Sequence, residues 1–278
     1  MPVNDVPMNN DLDHVLARDL AAEAGRLLVA LRQQLVVDGA SAAELKAEGD
    51  RRSHVLLADR LAEHRPGDAV LSEEGSGVNG PGGSTRLDAS RVWIIDPLDG
   101  TREFGEPPRE DWAVHVALAV DGRPAVGAVA LPGSDRVLST ATPSPLPPPP
   151  PTRPRVIVSR SRPPAVASHL AEVLGGDLVA LGSAGAKVSA VVLGDADVYP
   201  HAGGQYEWDS CAPVAVALAA GLVATRIDGS PLIYNRPDPY LPDLVVCHPL
   251  LGAVVRSALD AWQGQLPQAG AGVAPRSG

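Results

Sequence analysis

Basic residues are in deficit: 23 lysines and arginines stand against 33 aspartates and glutamates, a formal charge of −10. A nucleic-acid polymer needs a basic face to neutralise its phosphates, so that class of partner is excluded. Any phosphorylated ligand must then be held by a local device, backbone amides or metal ions. Long apolar runs are missing too, and none reaches the roughly 18 to 20 residues of a membrane span. The N-terminus, MPVNDVPMNNDLD, lacks the basic and apolar regions of a secretory signal, so a cytoplasmic protein without membrane contact is expected. Only two cysteines occur, Cys211 and Cys247. They form no spaced metal set, neither sits in a nucleophile pattern, and both are expected as core thiols.

A chain of 278 residues, 45% hydrophobic and 20% charged, accommodates one large domain or two closely packed lobes. Leu16, Leu20, Ala24, Leu27, Leu28, Leu31 and Leu35 recur at helical spacing and predict a helix over 11–35. A second helix is expected over 50–63. Short apolar runs at 69–71, 92–95, 112–120 and 126–131 predict strands, the last two joined across DGRP as a hairpin. This N-terminal lobe, residues 1–141, reads as helices packed on a mostly antiparallel sheet. TPSPLPPPPPTRP, residues 142–154, is an extended connecting segment. In the C-terminal lobe, residues 155–278, strands are expected at 156–158, 178–181, 222–225 and 244–247. Helices are expected at 164–174, 184–193 and 250–262, with a further Ala/Val helix opened by Asp209 and stopped by Gly221. The tail from Gln263 reads as loose.

Two segments carry chemistry. LSEEGSG, residues 71–77, sets Glu73 and Glu74 after an apolar strand and before a glycine-rich loop; alone, such a pair is a solvated surface feature. WIIDPLDGTREF, residues 93–104, is sharper. Its proline locks φ and its glycine permits a tight turn, so that Asp96 and Asp99 can point to one side. Two hard carboxylates so placed suit Mg²⁺, with water and substrate phosphate as further ligands. The amides of Gly100 and Thr101 then face an anion. Asp and Gly are also ordinary turn formers, and a lone Asp209 in EWDS is more often a helix N-cap than a ligand. Four acids at two strand exits and one helix start fit a shared metal site better than four separate accidents.

The order LSEE, WIIDPLDGT and WDSCAPVAVALAAG resembles the inositol monophosphatase superfamily of lithium-sensitive, magnesium-dependent phosphatases, over residues 11–262. DGTREF is more similar to its 3'-phosphoadenosine 5'-phosphate phosphatase branch, the CysQ-like proteins of sulfur metabolism. The resemblance implies an α+β fold, a layered α-β-α-β-α sandwich of two closely packed lobes with the active site between them. It also implies that Glu73, Asp96, the Leu98 carbonyl, Asp99 and Asp209 hold two or three Mg²⁺ ions, where water is activated for in-line attack on phosphorus. Thr101 would orient that water and pass a proton towards Glu73, while the Gly100 and Thr101 amides hold the phosphoryl group. The family's Val-Thr-x-x-Asp segment reads KAEGD here, leaving Asp50 to serve a third metal or the water. Its Gly-Ser-Ser-x-Lys substrate loop reads GSAGAK, leaving Ser183 and a displaced Lys187 as substrate contacts beside Asp209. A homodimer acting on a small phosphorylated substrate is the implied assembly.

Arg102 reads equally as a phosphate contact or a surface ion pair. Trp208 reads as packing, and His54, His115 and His201 as structural or solvated. The expected activity is Mg²⁺-dependent hydrolysis of the 3'-phosphate of 3'-phosphoadenosine 5'-phosphate, extending to its 5'-phosphosulfate. Inositol 1-phosphate and fructose 1,6-bisphosphate are alternative substrates for the same site. A phosphoaspartate-forming phosphatase is a different class, but its Asp-x-Asp-x-Thr spacing is two rather than three. A non-catalytic Mg²⁺- or Ca²⁺-binding module would use the acids only to fold.

Overall fold

The structure is a computed structural model that describes residues 8–75 and 85–265. The extreme N-terminus, most of the loop after the Glu73–Glu74 pair and the tail from 266 lie outside the described residues. The chain opens with α1 (Met8–Val37) and α2 (Ala42–His64). Helix α2 begins well before the expected residue 50 because Ser41 and Glu44 form a capping box. The Ser41 hydroxyl accepts from the Glu44 amide at 3.3 Å, and the Glu44 carboxylate accepts from the Ser41 amide at 2.8 Å.

Strands β1 (Ala69–Ser72), β2 (Arg91–Asp99), β3 (Ala113–Val120), β4 (Arg123–Leu131) and β5 (Arg136–Ser139) form the first sheet in chain order. Only the β1–β2 pair is parallel. The β3–β4 hairpin turns through Asp121 and Gly122 at φ 48° and 73°, the left-handed pair that a tight hairpin demands. Strand β5, RVLS, has only Val137 and Leu138 between two polar residues and so shows no apolar run. Between the two sheets, residues 142–154 have no regular secondary structure apart from one isolated bridge. They are pinned where the Pro147 carbonyl accepts from His248 Nε2 at 3.2 Å.

The second sheet runs β7-β6-β8-β10-β9. Its strands are β6 (Arg155–Ser159), β7 (Asp177–Leu181), β8 (Val198–Tyr206), β9 (Val223–Thr225) and β10 (Tyr240–Cys247). Strand β8 escaped the sequence pattern because YPHAGGQY combines a proline with two glycines, the residues least suited to strand interiors. The short α3 (Thr101–Phe104) follows β2, and α4 (Ala165–Leu174), α5 (Ala184–Leu193), α6 (Glu207–Ala219) and α7 (Gly252–Gln265) complete the fold.

Strand alternation sets the layers. Trp93 and Ile95 pack with Leu28 and Leu57 under α1 and α2. Val92 and Ile94 point the other way, into a cluster with Val191 of α5, Val216 of α6 and Val246 of β10. Val158, Val198 and Val245 on the outer face of the second sheet meet Leu170 of α4 and Leu259 of α7. The sequence of layers is helix, sheet, helix, sheet, helix, as the resemblance implied. Cys211 and Cys247 are buried free thiols in these clusters.

Candidate metal and substrate site

Strands β1 and β2 run side by side with Ser72 beside Ile95, so Glu73 and Asp96 leave the sheet at the same edge. Strand β2 does not end at Ile95. It continues to Asp99 with one extra residue, Asp96 standing opposite His115 and Asp99 opposite Ala113. Pro97 occupies that bulge, where its missing N–H costs no ladder bond. Asp96 Oδ1 accepts the Leu98 amide at 3.0 Å, closing the loop on itself. Gly100 follows at φ 84°, and a Cβ there would lie 3.0 Å from Ser183 Cβ and 3.1 Å from the Asp111 carbonyl, so only glycine fits.

Helix α2 braces this motif from the far side. A Cβ on Gly49 would come within 2.8 Å of both Leu98 Cδ2 and Phe104 Cε1, and Ser53 Oγ donates to the Pro97 carbonyl at 2.7 Å. Asp209 arrives from the other half of the chain, in the first turn of α6, where its carboxylate accepts the Tyr206 amide at 2.6 Å.

Carboxylate oxygens of Asp96, Asp99 and Asp209 lie within 4.8 Å of one another. With Glu73 they line a cleft of about 270 Å³. Burial, reinforced by Glu73, Asp99 and Asp209, pushes the Asp96 carboxyl well above the usual range. Burial, then Asp99 and Glu73, pushes Asp209 up to about 7. Burial, then Glu74 and Glu73, takes Asp50 to about 7 as well, and burial with Asp99 and Glu74 raises Glu73. Acids crowded so that they resist ionising together are the arrangement a divalent cation relieves. The donors are all hard oxygens, suited to Mg²⁺ rather than to a soft metal.

Asp99 behaves differently. Burial pushes its carboxyl up, but His115, Lys187 and the Ser183 hydroxyl outweigh burial and hold it below the ordinary range. Ser183 Oγ donates to it at 2.5 Å, the Ala184 amide at 3.1 Å and the Gly185 amide at 2.6 Å, so the start of α5 clasps this carboxylate. His115, fully buried on β3, donates Nδ1–H to the Trp208 carbonyl at 3.0 Å and brings Nε2 within 3.2 Å of Asp99 Oδ2. Burial would push the imidazole pKa down, but Asp99 raises it.

Thr101 Oγ1 donates to the Leu98 carbonyl at 3.0 Å and approaches Asp50 Oδ1 at 3.5 Å; among the described residues no hydrogen bond joins it to Glu73. Arg102 lines the cleft and forms no ion pair among the described residues. The GSAGAK loop turns its donors inward. Ser183 serves Asp99, and buried Lys187 donates to the Gly182 carbonyl at 3.1 Å and to that of Ser183. The loop therefore shapes the acid cluster, and the Lys187 ammonium is held by backbone carbonyls. Sequence reasoning missed Tyr199 and Gln205, because β8 was not seen. It also missed Arg160 and Arg162, although SRSR at a strand exit was a legible sign of them.

Residues 11–259 match the inositol monophosphatase family. The 3'-phosphoadenosine 5'-phosphate phosphatase of Mycobacterium leprae is 48% identical over 267 residues, which cover 90% of this chain and 95% of that protein. The 3'(2'),5'-bisphosphate nucleotidase CysQ of Escherichia coli O157:H7 is 32% identical over 224 residues, covering 74% of this chain and 89% of its own. The crystal structure of CysQ from Bacteroides thetaiotaomicron superposes with a TM-score of 0.70 at 23% identity, over 88% of this chain and 99% of that one.

Proposed function

The chain belongs to the inositol monophosphatase family, and from that premise we propose that it is a divalent-metal-dependent phosphatase removing the 3'-phosphate of 3'-phosphoadenosine 5'-phosphate. The observation that carries this is the convergence of Asp96, Asp99 and Asp209 from both halves of the chain, with carboxylate oxygens within 4.8 Å of one another.

Asp96, Asp99 and Asp209, joined by Glu73 and the Leu98 carbonyl at the same cleft, would hold Mg²⁺, two or three ions per site. When bound, Mg²⁺ supplies positive charge for the phosphate oxygens and for the leaving oxygen of an in-line displacement. The chain's own residues do the rest. The amides of Gly100 and Thr101 at the start of α3 face the phosphoryl oxygens. Thr101 Oγ1, set between the Leu98 carbonyl and Asp50, orients the attacking water. Asp50, 3.5 Å from Thr101 Oγ1, accepts a proton passed along that relay, with Glu73 as its partner acid in the cleft. Arg102 adds charge at the rim. Water, not aspartate, is the nucleophile: Asp99 is already clasped by the start of α5, and Asp96 by the Leu98 amide.

Among the described residues no helix is long and apolar enough to cross a membrane. The proposed protein is a cytoplasmic homodimer acting on a small phosphorylated substrate, without a nucleic-acid polymer as partner. Phosphate release from 3'-phosphoadenosine 5'-phosphate, inositol 1-phosphate and fructose 1,6-bisphosphate tests the assignment. The nucleotide is expected to be strongly preferred; equal or better turnover of either sugar phosphate would move the protein to another branch of the family.

A further inference from the structure

Among the described residues, six buried side-chain polar atoms have no hydrogen-bond partner, and two of them, His201 Nε2 and Gln205 Oε1, belong to β8 and line the cleft. Groups left unpaired in this way are costly and rare, and a ligand is one means of pairing them. Gln205 is only 5% exposed. One end of its amide is fixed by Nε2 donating to the Tyr199 hydroxyl at 2.9 Å, which leaves the other end for the cleft. Between these two side chains β8 bulges against β10, and Gly203 and Gly204 take φ of 81° and 83°. A Cβ on Gly203 would have nothing within 4 Å, and one on Gly204 only Arg162 Nη1, at 3.9 Å. The strand therefore offers bare backbone beside open space, flanked by unpaired polar groups.

Arg162 closes the opposite side. Its neighbour Arg160 is committed to Glu103 at 2.7 Å and Glu106 at 3.2 Å. Arg162 forms no ion pair among the described residues, and its guanidinium reaches across the cleft mouth to Gly204. The same cleft carries the acid cluster, so it offers two anion positions: a phosphate held through metal, and a second anion at an arginine with no ion pair among the described residues.

We propose that Tyr199, His201, Gln205 and Arg162 form the subsite for the non-reacting half of a nucleoside bisphosphate. Gln205 and His201 meet the polar edge of the nucleoside over the bare Gly203–Gly204 backbone, and Arg162 binds the 5'-phosphate. This inference rests on the nucleotide phosphatase assignment above and names what selects that substrate over a sugar phosphate.

The test uses the full chain in Mg²⁺ buffer and compares wild type, Arg162→Ala and Gln205→Leu. Titration calorimetry measures binding of adenosine 5'-phosphate and of adenosine. Phosphate release is followed from 3'-phosphoadenosine 5'-phosphate and from adenosine 3'-phosphate, which lacks the second phosphate. Wild type should bind adenosine 5'-phosphate roughly ten- to hundredfold more tightly than adenosine, the range of a hydrogen-bonded charge pair. Arg162→Ala should close that gap and lower the kcat/KM ratio of the two substrates by the same factor. Gln205→Leu should weaken both ligands alike. Arg162 is exposed, so its truncation tests the subsite even where Gln205→Leu fails to fold. If wild type releases the 3'-phosphate but Arg162→Ala keeps the wild-type gap and ratio, the subsite is wrong and the phosphatase assignment stands. If wild type leaves 3'-phosphoadenosine 5'-phosphate untouched, both are wrong.

Discussion

Replacing Asp209 with asparagine should stabilise the metal-free protein at alkaline pH while destroying turnover. The Asp209 carboxyl is pushed up to about 7 by burial, Asp99 and Glu73, against about 3.9 in an unfolded chain. The folded state therefore holds this proton more tightly than the unfolded state does. The resulting destabilisation is absent below about pH 4, grows as pH rises, and is complete above about pH 7. A shift of that size corresponds to roughly 4 kcal/mol. Asparagine keeps an acceptor for the Tyr206 amide, donated at 2.6 Å, but a neutral cap gives up about 1 kcal/mol of charge-assisted bonding. The net gain is roughly 2–3 kcal/mol at pH 8, or about 3–5 °C in Tm. Thermal unfolding of wild type and Asp209→Asn in EDTA, at pH 8 and pH 4, should show the gap at pH 8 and its closure at pH 4. Mg²⁺ at about a hundred times its Kd should then stabilise wild type by roughly 3 kcal/mol and the variant far less, closing most of the gap. A variant less stable than wild type at pH 8 in EDTA would refute the electrostatic reasoning.

Asp50→Asn should lower kcat by about a hundredfold, because Thr101 Oγ1 would lose the carboxylate it approaches at 3.5 Å; a kcat within about threefold of wild type would take Asp50 out of the proton relay. Gly49→Ala should cost about 1–3 kcal/mol in denaturant unfolding, since its Cβ would press to 2.8 Å on Leu98 and Phe104, and should lower kcat by displacing the motif. Arg32 donates to the carbonyls of Phe104 at 2.8 Å, Arg109 at 2.7 Å and Glu103 at 3.1 Å, so Arg32→Ala should destabilise by roughly 2–4 kcal/mol and slow turnover by loosening the turn that follows Gly100. A variant with wild-type Tm would show that those bonds contribute nothing net.

Asp99→Asn illustrates where the structure departs from what the sequence suggested. The resemblance implied that Asp99 is a metal ligand, a role that by itself ties no second element to the carboxylate. Asp99, however, accepts the Ser183 hydroxyl and the Ala184 and Gly185 amides, and an asparagine NH₂ would face those donors. That coupling between strand exit and helix start lies across 84 residues and no local pattern encodes it. Strands β2, β3 and β4 were legible as apolar runs and several helices as apolar stripes, while the five-layer order came from the resemblance carried by the acid motifs. The early start of α2 was legible in principle from Ser41 and Glu44. Strand β8 was not, because its bulge glycines and Pro200 read as loop, and with it went Tyr199 and Gln205. His115 was visible only as a polar residue in a buried strand; its role depends on the register that sets it opposite Asp96.

The most direct test is phosphate release from 3'-phosphoadenosine 5'-phosphate by wild type and by Asp96→Asn, each with Mg²⁺ and with excess EDTA. Rapid release is expected from wild type in Mg²⁺ only, with a loss of at least about a hundredfold on either removing the metal or neutralising Asp96. Release that survives EDTA, or an Asp96→Asn protein within tenfold of wild type, would contradict this expectation.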